Sequence, residues 1–309
     1  MDSLSCSVAA GQRGHRRAPG MAEQQPADNE ARDFARIMKL ASTALLPCRS
    51  ADHLKSVSTT SNTLLQPRAG ERQLLTARLT RSIELSKSTR HLELEVEGVE
   101  EFNFIPGQFV SIKQRKPDGR EHTRAYSIAS APCGDNRLDL CLNRVDEGYL
   151  SNWLCDLEEG AKIEFHGPHG LFTLREPRRD SVFIATGTGI APIRGMIHWL
   201  FEKPERHEGH EYWLVFGTRF EENLYYHDEF ERIAHEQANF HYVPTLSRCG
   251  ELWTGCRGYV QDHVREIAGD RKDMQAYICG LHQMVDANRK LLKEELGWDR
   301  KQIVFERYD

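Results

Sequence analysis

Residues 181–192 have the sequence SVFIATGTGIAP, which indicates the fold class of the carboxyl-terminal half of the chain. The stretch begins as a short apolar run, which is typical of a strand buried on both faces, and continues into two glycines separated by a threonine. The residues that follow are IAPIRGMIHWLFEK, whose apolar positions have helical spacing. A buried strand that passes through a glycine turn into a helix predicts a parallel α/β sheet.

The same pattern of apolar runs recurs up to the end of the chain. The later runs are YWLVFGT (212–218), FHYVPTLS (240–247), QAYICG (275–280) and IVFERYD (303–309). Helical spacing follows the first of them in NLYYHDEFERIAHEQ and the third in VDANRKLLKEELG. We therefore predict an α/β domain over residues 177–309, with a parallel sheet covered by helices on both faces.

Residues 71–176 have a different pattern, in which apolar and polar residues alternate along short segments. Examples are LLTARLTRSIEL (74–85), RHLELEVEG (90–98) and LDLCLNRV (138–145). Such alternation is typical of half-buried strands, and closely spaced strands with short turns predict a small antiparallel β-barrel. A helix is predicted within this region in GYLSNWLCDLE (148–158).

Residues 1–70 contain long polar stretches such as GQRGHRRAPG and AEQQPADNEAR. Segments of this kind bury too little apolar surface to offset the entropy of ordering. We predict a disordered tail, with room for one short helix in DFARIMKLASTALL (33–46).

The composition restricts the class of protein. A chain of 309 residues is long enough for two domains, and a net charge of −5 with mixed signs argues against a nucleic-acid partner. No apolar run has the length of a membrane span. The eight cysteines contain no Cys-x-x-Cys pair, which indicates reduced thiols in a cytoplasmic protein. His166 and His169 lack a third ligand, so no metal site is predicted.

Two glycine turns are candidate ligand sites, because parallel sheets bind ligands at the carboxyl ends of their strands. The first turn is TGTG (186–189), where backbone N–H groups next to a helix start could bind a phosphate. It is not the G-x-G-x-x-G fingerprint, since Pro192 occupies the last glycine position, and an ordinary tight turn would look the same. The second is Cys279-Gly280, which could equally be a buried cysteine before a turn.

The barrel half contains the stretch RAYSIAS (124–130), in which polar side chains interrupt a predicted strand. Arg124 has a guanidinium suited to a pyrophosphate, Tyr126 has an aromatic face and Ser127 has a hydroxyl. Residues 148–151 would open a helix and provide N–H donors for the same anion, or would simply cap that helix. Tyr308, next to the end of the chain, could pack internally or cover a flat ligand.

The order of these motifs along the chain resembles the ferredoxin–NADP⁺ reductase family of flavoproteins, and is most similar to its plant-type branch. The motifs are RAYSIAS, GYLSNWLCDL, GPHG, GTGIAPIRGM, TLSR, RGYVQ, YICGLHQM and FERY. The resemblance extends from residue 71 to residue 309. It implies a six-stranded FAD-binding barrel followed by an NAD(P)-binding α/β domain, with the flavin between them.

The resemblance also implies roles for single residues towards FAD. Tyr126 would lie against one face of the isoalloxazine and Tyr308 would stack on the other. Ser127 would hydrogen-bond near flavin N5, the atom that receives hydride. The pyrophosphate site implied by the resemblance consists of Arg124, Gly148, Leu150 through its backbone N–H, and Ser151.

Towards the nicotinamide cofactor, the resemblance places Cys279 beside the nicotinamide C4. Glu306 would order the site or handle protons, so the implied catalytic set is Ser127, Cys279, Glu306 and Tyr308. The residues implied to cradle the nicotinamide nucleotide are Gly187, Thr188, Gly189 and Gly280. The implied reaction is hydride transfer between NAD(P)H and FAD, with electrons passed on to a protein acceptor.

The expected cofactor is NADPH rather than NADH. In the family that the chain resembles, Ser247 and Arg248 match a serine–arginine pair for the 2′-phosphate. Arg257 and Tyr259 match a lysine and a tyrosine there, and Arg219 could join them. The rival interpretation is that these arginines are solvated surface charges, and Glu221 and Glu222 lie near in sequence.

The expected acceptor is a ferredoxin or a flavodoxin. A group of cations near the presumed flavin edge could dock such an acidic protein or could be a solvated turn. These cations are Lys113, Arg115, Lys116, Arg120 and Arg124. One alternative is the reductase component of an oxygenase or cytochrome system. Another is a flavin-binding electron-transfer subunit without reductase activity, although the cysteines lack the cluster spacing of such subunits.

Overall fold

The computed structural model describes residues 73–308, which form two sheets in sequence. The tail predicted over residues 1–70, its short helix and Asp309 lie outside the described residues. Both sheets belong to one compact unit. None of the helices between residues 73 and 308 is long and apolar enough to cross a bilayer.

The first sheet, within residues 73–174, has six antiparallel strands. Its elements are β1 (Leu75–Ser86), β2 (Thr89–Val96), β3 (Phe109–Arg115), β4 (Glu121–Ser127), β5 (Arg137–Asn143), α1 (Tyr149–Cys155) and β6 (Lys162–His169). The strand order is β4-β3-β6-β1-β2-β5. The outer strands meet where Ile128 pairs with Leu140 and where the Ala129 N–H donates to the Asp139 carbonyl at 2.8 Å. The predicted antiparallel barrel is therefore confirmed.

The second sheet, within residues 175–308, has parallel strands in the order β10-β9-β8-β7-β11-β12. Its elements are β7 (Ser181–Thr186), α2 (Ile190–Glu202), α3 (Pro204–His207), β8 (Tyr212–Thr218), α4 (His227–Glu236), β9 (Phe240–Leu246), β10 (Cys256–Arg257), α5 (Val260–Ala268), β11 (Gln275–Leu281), α6 (His282–Lys290) and β12 (Ile303–Tyr308). The predicted parallel α/β sheet is confirmed, but β10 and α5 were not predicted.

Burial explains why the two halves have different sequence patterns. From Leu92 to Val96, β2 alternates buried residues with half-buried glutamates, as a barrel strand with one wet face must. In β7 the five residues from Ser181 to Ala185 are all buried, which matches a central strand covered on both sides.

The two faces of the parallel sheet pack against different helices. Ile184 belongs to a buried cluster that includes Val264 of α5. The neighbouring residue, Phe183, points to the opposite face and stacks on Tyr212, whose ring meets Phe201 of α2 edge-on. Helices therefore cover both faces, as predicted from the apolar runs.

Helix α2 also holds the α/β half against the barrel. Arg194 is 5% exposed, and its Nε and Nη2 donate to the two carboxylate oxygens of Glu229 at 2.8 and 3.0 Å. Its Nη1 donates to the Ala129 carbonyl of the barrel at 2.8 Å. The next residue is Gly195, where a Cβ would lie only 2.5 Å from the Ser130 carbonyl oxygen. Arg194 Nη1 also lies 3.3 Å from Asp139 Oδ2 of the barrel. The two halves are thus in direct contact through Arg194 and through a close backbone approach at Gly195.

Candidate active site

The carboxyl ends of β7, β11 and β12 meet at one edge of the parallel sheet. In the strand register, Cys279 lies between Ala185 of β7 and Glu306 of β12. Leu281 pairs with Tyr308 two residues further on. The strand register alone therefore places Cys279, Glu306 and Tyr308 next to the glycine turn that follows β7.

Ser127 joins this edge from the barrel. Its Oγ donates to Glu306 Oε1 at 3.0 Å, across 179 positions of sequence. Ser127 is 5% exposed and Cys279 is fully buried. The Tyr308 hydroxyl is buried beside both of them, without hydrogen-bond geometry to any described residue. We call Ser127, Cys279, Glu306 and Tyr308 the buried cluster, and the structure brings all four together.

Burial also sets the charges of the buried cluster. It raises the pKa of the Glu306 carboxyl, and the hydrogen bond from Ser127 opposes this shift only in part. Burial raises the pKa of the Cys279 thiol and of the Tyr308 hydroxyl well above their ordinary values. Cys279 and Tyr308 are therefore uncharged at neutral pH, and the protonated form of Glu306 is more favoured than that of an exposed glutamate.

The glycines at this edge have two different reasons to be glycine. Gly187 has a φ of 55°, and no described heavy atom lies within 4 Å of the position of an added Cβ, so its surroundings are open. Gly189 is packed instead, because a Cβ there would overlap the Cys279 carbonyl. Gly280 has a φ of 141° and packs against Thr186. Close packing of the two turns thus explains why positions 189 and 280 are glycine. Gly187, which precedes Thr188, lies on the open side of the first turn.

Strand β4 presents the predicted pyrophosphate and flavin residues. Arg124 and Tyr126 are two positions apart, so their side chains point to the same face. Tyr126 packs partly against the barrel core, and burial raises its pKa to about 12. Arg124 is exposed, donates to the Thr123 carbonyl at 3.0 Å and has no ion-pair partner among residues 73–308. An arginine and an aromatic ring therefore lie on one face without an internal acid to neutralise the arginine.

Helix α1 begins beside that face, because the rings of Tyr149 and His122 on β4 are 5.7 Å apart. The N-cap of α1 is Gly148, which has no side chain with which to cap the helix. Ser151 is largely engaged within the turn, since its Oγ accepts from the Val145 N–H at 3.2 Å and donates to the Gly148 carbonyl at 3.4 Å. Leu150 is 3% exposed and packs in the barrel core. The Ser151 contacts favour a structural role for its hydroxyl and leave the backbone N–H groups as donors.

The remaining predicted residues lie along the same sheet edge, beyond β8, β9 and β10. The Ser247 N–H donates to the Thr218 carbonyl, and the Arg248 N–H donates to the Arg219 carbonyl, each at 3.0 Å. These bonds tie the residues after β8 to those after β9. Tyr259, which caps α5, is 65% exposed. We call Arg219, Ser247, Arg248, Arg257 and Tyr259 the arginine edge.

Arg257 differs from the other arginines of this edge. Its Nη2 donates to the Trp253 carbonyl at 2.7 Å and approaches the Gly250 carbonyl at 3.3 Å. Its Nη1 donates to Cys249 Sγ at 3.1 Å. Arg219 and Arg248 are exposed and have no ion-pair partner within the described range. The Arg257 guanidinium therefore organises the loop after Arg248, whereas the other two are open to a ligand.

Three of the five cations of the β3–β4 hairpin have acidic neighbours. Lys113 and Arg115 both pair with Glu121, at 2.9 and 3.0 Å. Arg120 pairs with Asp118 at 3.0 Å. These contacts favour the interpretation of this group as a solvated turn.

Sequence reasoning assigned no role to Arg194, although it lies in the motif GTGIAPIRGM. A charged residue flanked on both sides by apolar residues of a helix must find a partner when buried, and this signal could have been used. Within residues 73–308, no group of three or more His, Cys, Asp or Glu side chains is placed to hold a metal ion.

The two halves match two family models. The model described as "Oxidoreductase FAD-binding domain" matches residues 76–174. The model described as "Oxidoreductase NAD-binding domain" matches residues 183–290.

Similar proteins with a stated function are reductases and electron-transfer components. "Ferredoxin--NADP reductase B" from Sorangium cellulosum (strain So ce56) is 44% identical over 241 residues, which are 75% of this chain and 97% of that protein. The "Anthranilate 1,2-dioxygenase electron transfer component" of Acinetobacter baylyi is 30% identical, over 89% of this chain and 78% of that protein. The crystal structure of the cytochrome P450 reductase GcoB from Amycolatopsis superposes with a TM-score of 0.68 and 29% identity, covering 76% of this chain and 69% of that one.

Proposed function

The chain belongs to the ferredoxin–NADP reductase family, and on that basis we propose that it oxidises NADPH through bound FAD and reduces a ferredoxin or a flavodoxin. It is an FAD- and nicotinamide-binding oxidoreductase with a protein electron acceptor. The observation that supports hydride transfer from the nicotinamide to the flavin at this site is the Ser127–Glu306 hydrogen bond beside Cys279 and Tyr308. This bond joins the barrel to the α/β half where the two cofactors must meet.

The residues on β4 fit FAD. Arg124 has no acidic partner in the described range, and its guanidinium can therefore bind the pyrophosphate in bidentate fashion. Tyr126 lies on the same face two positions on and would lie against the isoalloxazine. The Gly148 N–H already donates to the Val145 carbonyl at 2.9 Å. The backbone N–H groups from Tyr149 to Ser151, at the start of α1, would complete the pyrophosphate site.

When bound, FAD supplies the hydride chemistry and lets a two-electron donor serve a one-electron acceptor. The Ser127 hydroxyl donates a hydrogen bond to Glu306. The lone pairs of the Ser127 oxygen therefore remain available to accept a hydrogen bond from a flavin N–H. If Glu306 is protonated, the bond can reverse and the Ser127 hydroxyl can donate instead. Because Glu306 is only half-buried, it can exchange this proton with solvent. Ser127 and Glu306 would thus orient the flavin edge and move its proton.

Tyr308 would cover the flavin until the nicotinamide arrives. Its hydroxyl makes no hydrogen bond with the described residues, so moving the ring aside breaks none. An aromatic stack contributes only about 0.5–1.5 kcal/mol beyond its buried area, which an incoming nicotinamide can replace. Cys279 would then lie beside the nicotinamide C4 as a neutral thiol. Gly187, whose surroundings are open, would leave room for the nucleotide, with Thr188 next to it in the same turn.

NADPH is the proposed donor because of the arginine edge. Arg219 and Arg248 lack internal ion pairs and are joined through their backbones, so both can reach one 2′-phosphate. Ser247 adds a hydroxyl, and the exposed ring of Tyr259 offers a surface for the adenine.

One observation favours a second candidate, the reductase component of an oxygenase or cytochrome system. Related proteins at 30% and 29% identity have names of that kind.

The experiment that tests the proposal measures anaerobic, NADPH-driven reduction of three acceptors by the FAD-loaded protein. The acceptors are a plant-type [2Fe–2S] ferredoxin, a flavodoxin and cytochrome c. We expect the ferredoxin or the flavodoxin to give a higher kcat/KM than cytochrome c. Rapid reduction of cytochrome c with neither carrier reduced would reject the proposed acceptor and favour the second candidate.

A further inference from the structure

A cavity of about 410 Å³ lies at the amino-terminal edge of the parallel sheet. Gln275 and Ile303, which begin β11 and β12, both line it. The buried cluster lies at the other end of these two strands. Gln275 and Cys279 are four residues apart, which corresponds to about 13 Å along the strand. The cavity is therefore separate from the site described above.

The wall of this cavity is strongly cationic. Arg175, Arg179, Arg300 and Lys301 all line it, and none of them has an ion-pair partner among residues 73–308. The neighbouring acid does not neutralise them, because Glu176 pairs with Arg178 at 3.0 Å. Four like charges around one concavity repel each other, and binding of an anion would relieve that repulsion.

The cavity also contains a buried polar group with unused donor capacity. Gln275 is 7% exposed, and its Oε1 accepts from the Tyr277 hydroxyl at 2.8 Å. Its Nε2 donates to no residue between 73 and 308 and reaches solvent on the cavity side. It can therefore donate to a ligand oxygen in place of water.

We propose that this cavity binds a compact polyphosphate, either free or as the diphosphate of a nucleotide. Arginine guanidinium groups match phosphate oxygens in bidentate geometry, and three of the four cations are arginines. The volume falls within the range of small-molecule sites, roughly 300–1,000 Å³. A concave shape of this size favours a small anion over the flat acidic face of a protein.

The test is isothermal titration calorimetry of the FAD-loaded, full-length protein in saturating NADP⁺, which keeps the nicotinamide nucleotide site occupied. The probes are inorganic pyrophosphate, ADP and an oligoglutamate peptide. The variant Arg179→Gln/Arg300→Gln/Lys301→Gln removes three cavity charges. The control Lys87→Gln/Lys203→Gln/Lys293→Gln removes three exposed charges elsewhere, each also without an ion pair in the described range.

We expect the cavity variant to bind pyrophosphate about tenfold more weakly or worse than the wild type, while the control variant is unchanged. Affinity should also fall with rising salt. Tighter binding of ADP than of pyrophosphate, lost in the same variant, would support the site and identify the source as a nucleotide. Absence of binding to the wild type, or equal affinity in all three proteins, would overturn the proposal. Tighter binding of an oligoglutamate peptide than of either phosphate would overturn it in favour of an acidic protein.

Discussion

The buried cluster and the arginine edge occupy the same edge of one parallel sheet but are built in opposite ways. Ser127 and Cys279 are at most 5% exposed, and the strand register aligns Cys279 with Glu306. In the arginine edge, Arg219 and Arg248 are exposed and lie in the turns after their strands. One set is fixed by long-range pairing of strands, and the other is held by loop backbone.

This difference predicts different kinds of defect. A change in the buried cluster alters orientation where hydride passes, so it should lower the rate of flavin reduction with either nicotinamide cofactor. A change at Arg219 or Arg248 of the arginine edge alters only the contact with the 2′-phosphate, so it should raise KM for NADPH and leave KM for NADH unaffected.

The largest effect is expected from Arg194, which links α2 to the Ala129 carbonyl of the barrel. Replacing Arg194 by Leu leaves the buried Glu229 carboxylate without its bidentate partner. We expect a loss of about 3–5 kcal/mol in the free energy of unfolding, measured by urea denaturation. The control is Arg232→Leu, which breaks an exposed pair with Glu236 at 3.0 Å and should cost about 0.5 kcal/mol or less.

A double variant separates the lost charge pair from lost packing. Arg194→Met combined with Glu229→Leu removes both charges of this pair. It should recover part of the stability lost in Arg194→Leu, because Asp139 of the barrel still loses its partner. If Arg194→Leu were as mild as Arg232→Leu, the contacts of Arg194 would contribute little to the stability of the fold.

Ser127→Ala should have the next largest effect. It removes the hydroxyl that donates to Glu306, and with it the proposed hydrogen bond to the flavin edge. We expect the rate of flavin reduction to fall about a hundredfold with both NADPH and NADH, as measured by stopped-flow absorbance. Ser82→Ala on β1 of the barrel is the control. A Ser127→Ala protein with unchanged rates would remove this residue from the reaction.

Arg248→Gln should have a smaller and more selective effect. Loss of a charged hydrogen bond to the 2′-phosphate should raise KM for NADPH about tenfold while KM for NADH stays constant. Lys203→Gln removes one exposed charge elsewhere and is the matched control. Equal changes in KM for the two cofactors would show that Arg248 does not recognise the 2′-phosphate.

The smallest effect concerns pH. Because burial raises the pKa of Glu306, the folded state favours the protonated carboxyl. This contribution to stability is fully present below the unfolded pKa of about 4.3 and is lost as pH rises through the folded pKa. The free energy of unfolding of Glu306→Gln should therefore improve relative to the wild type from about pH 4 to about pH 8. A constant difference between the two proteins across this range would contradict the raised pKa.

The sequence predicted the sheets well because their burial produces simple periods. The alternation in β2 and the five buried residues of β7 are visible directly in the residue types. The strand β10 was missed because two residues show no period. The helix α5 was predictable, because Val260, Val264 and Ala268 have helical spacing, and sequence reasoning overlooked it.

Contacts between distant residues could not be obtained from periodicity. The Ser127–Glu306 bond spans 179 positions, and only the resemblance to a family suggested that these residues belong to one site. The engagement of Arg257 with loop carbonyls depends on the path of residues 249–253, which no local pattern determines. The pairing of hairpin cations with Glu121 likewise depends on the register of β3 and β4.

The most direct test mixes the FAD-loaded protein anaerobically with NADPH, and separately with NADH, in a stopped-flow spectrophotometer. Loss of the flavin absorbance band is followed for the wild type and for Arg248→Gln. We expect fast bleaching with both cofactors at saturating concentration. NADPH should be effective at a lower concentration than NADH, and this difference in concentration should be smaller in Arg248→Gln. A flavin that neither cofactor bleaches would contradict the proposed reductase activity. A wild type that requires less NADH than NADPH would contradict the proposed preference for NADPH.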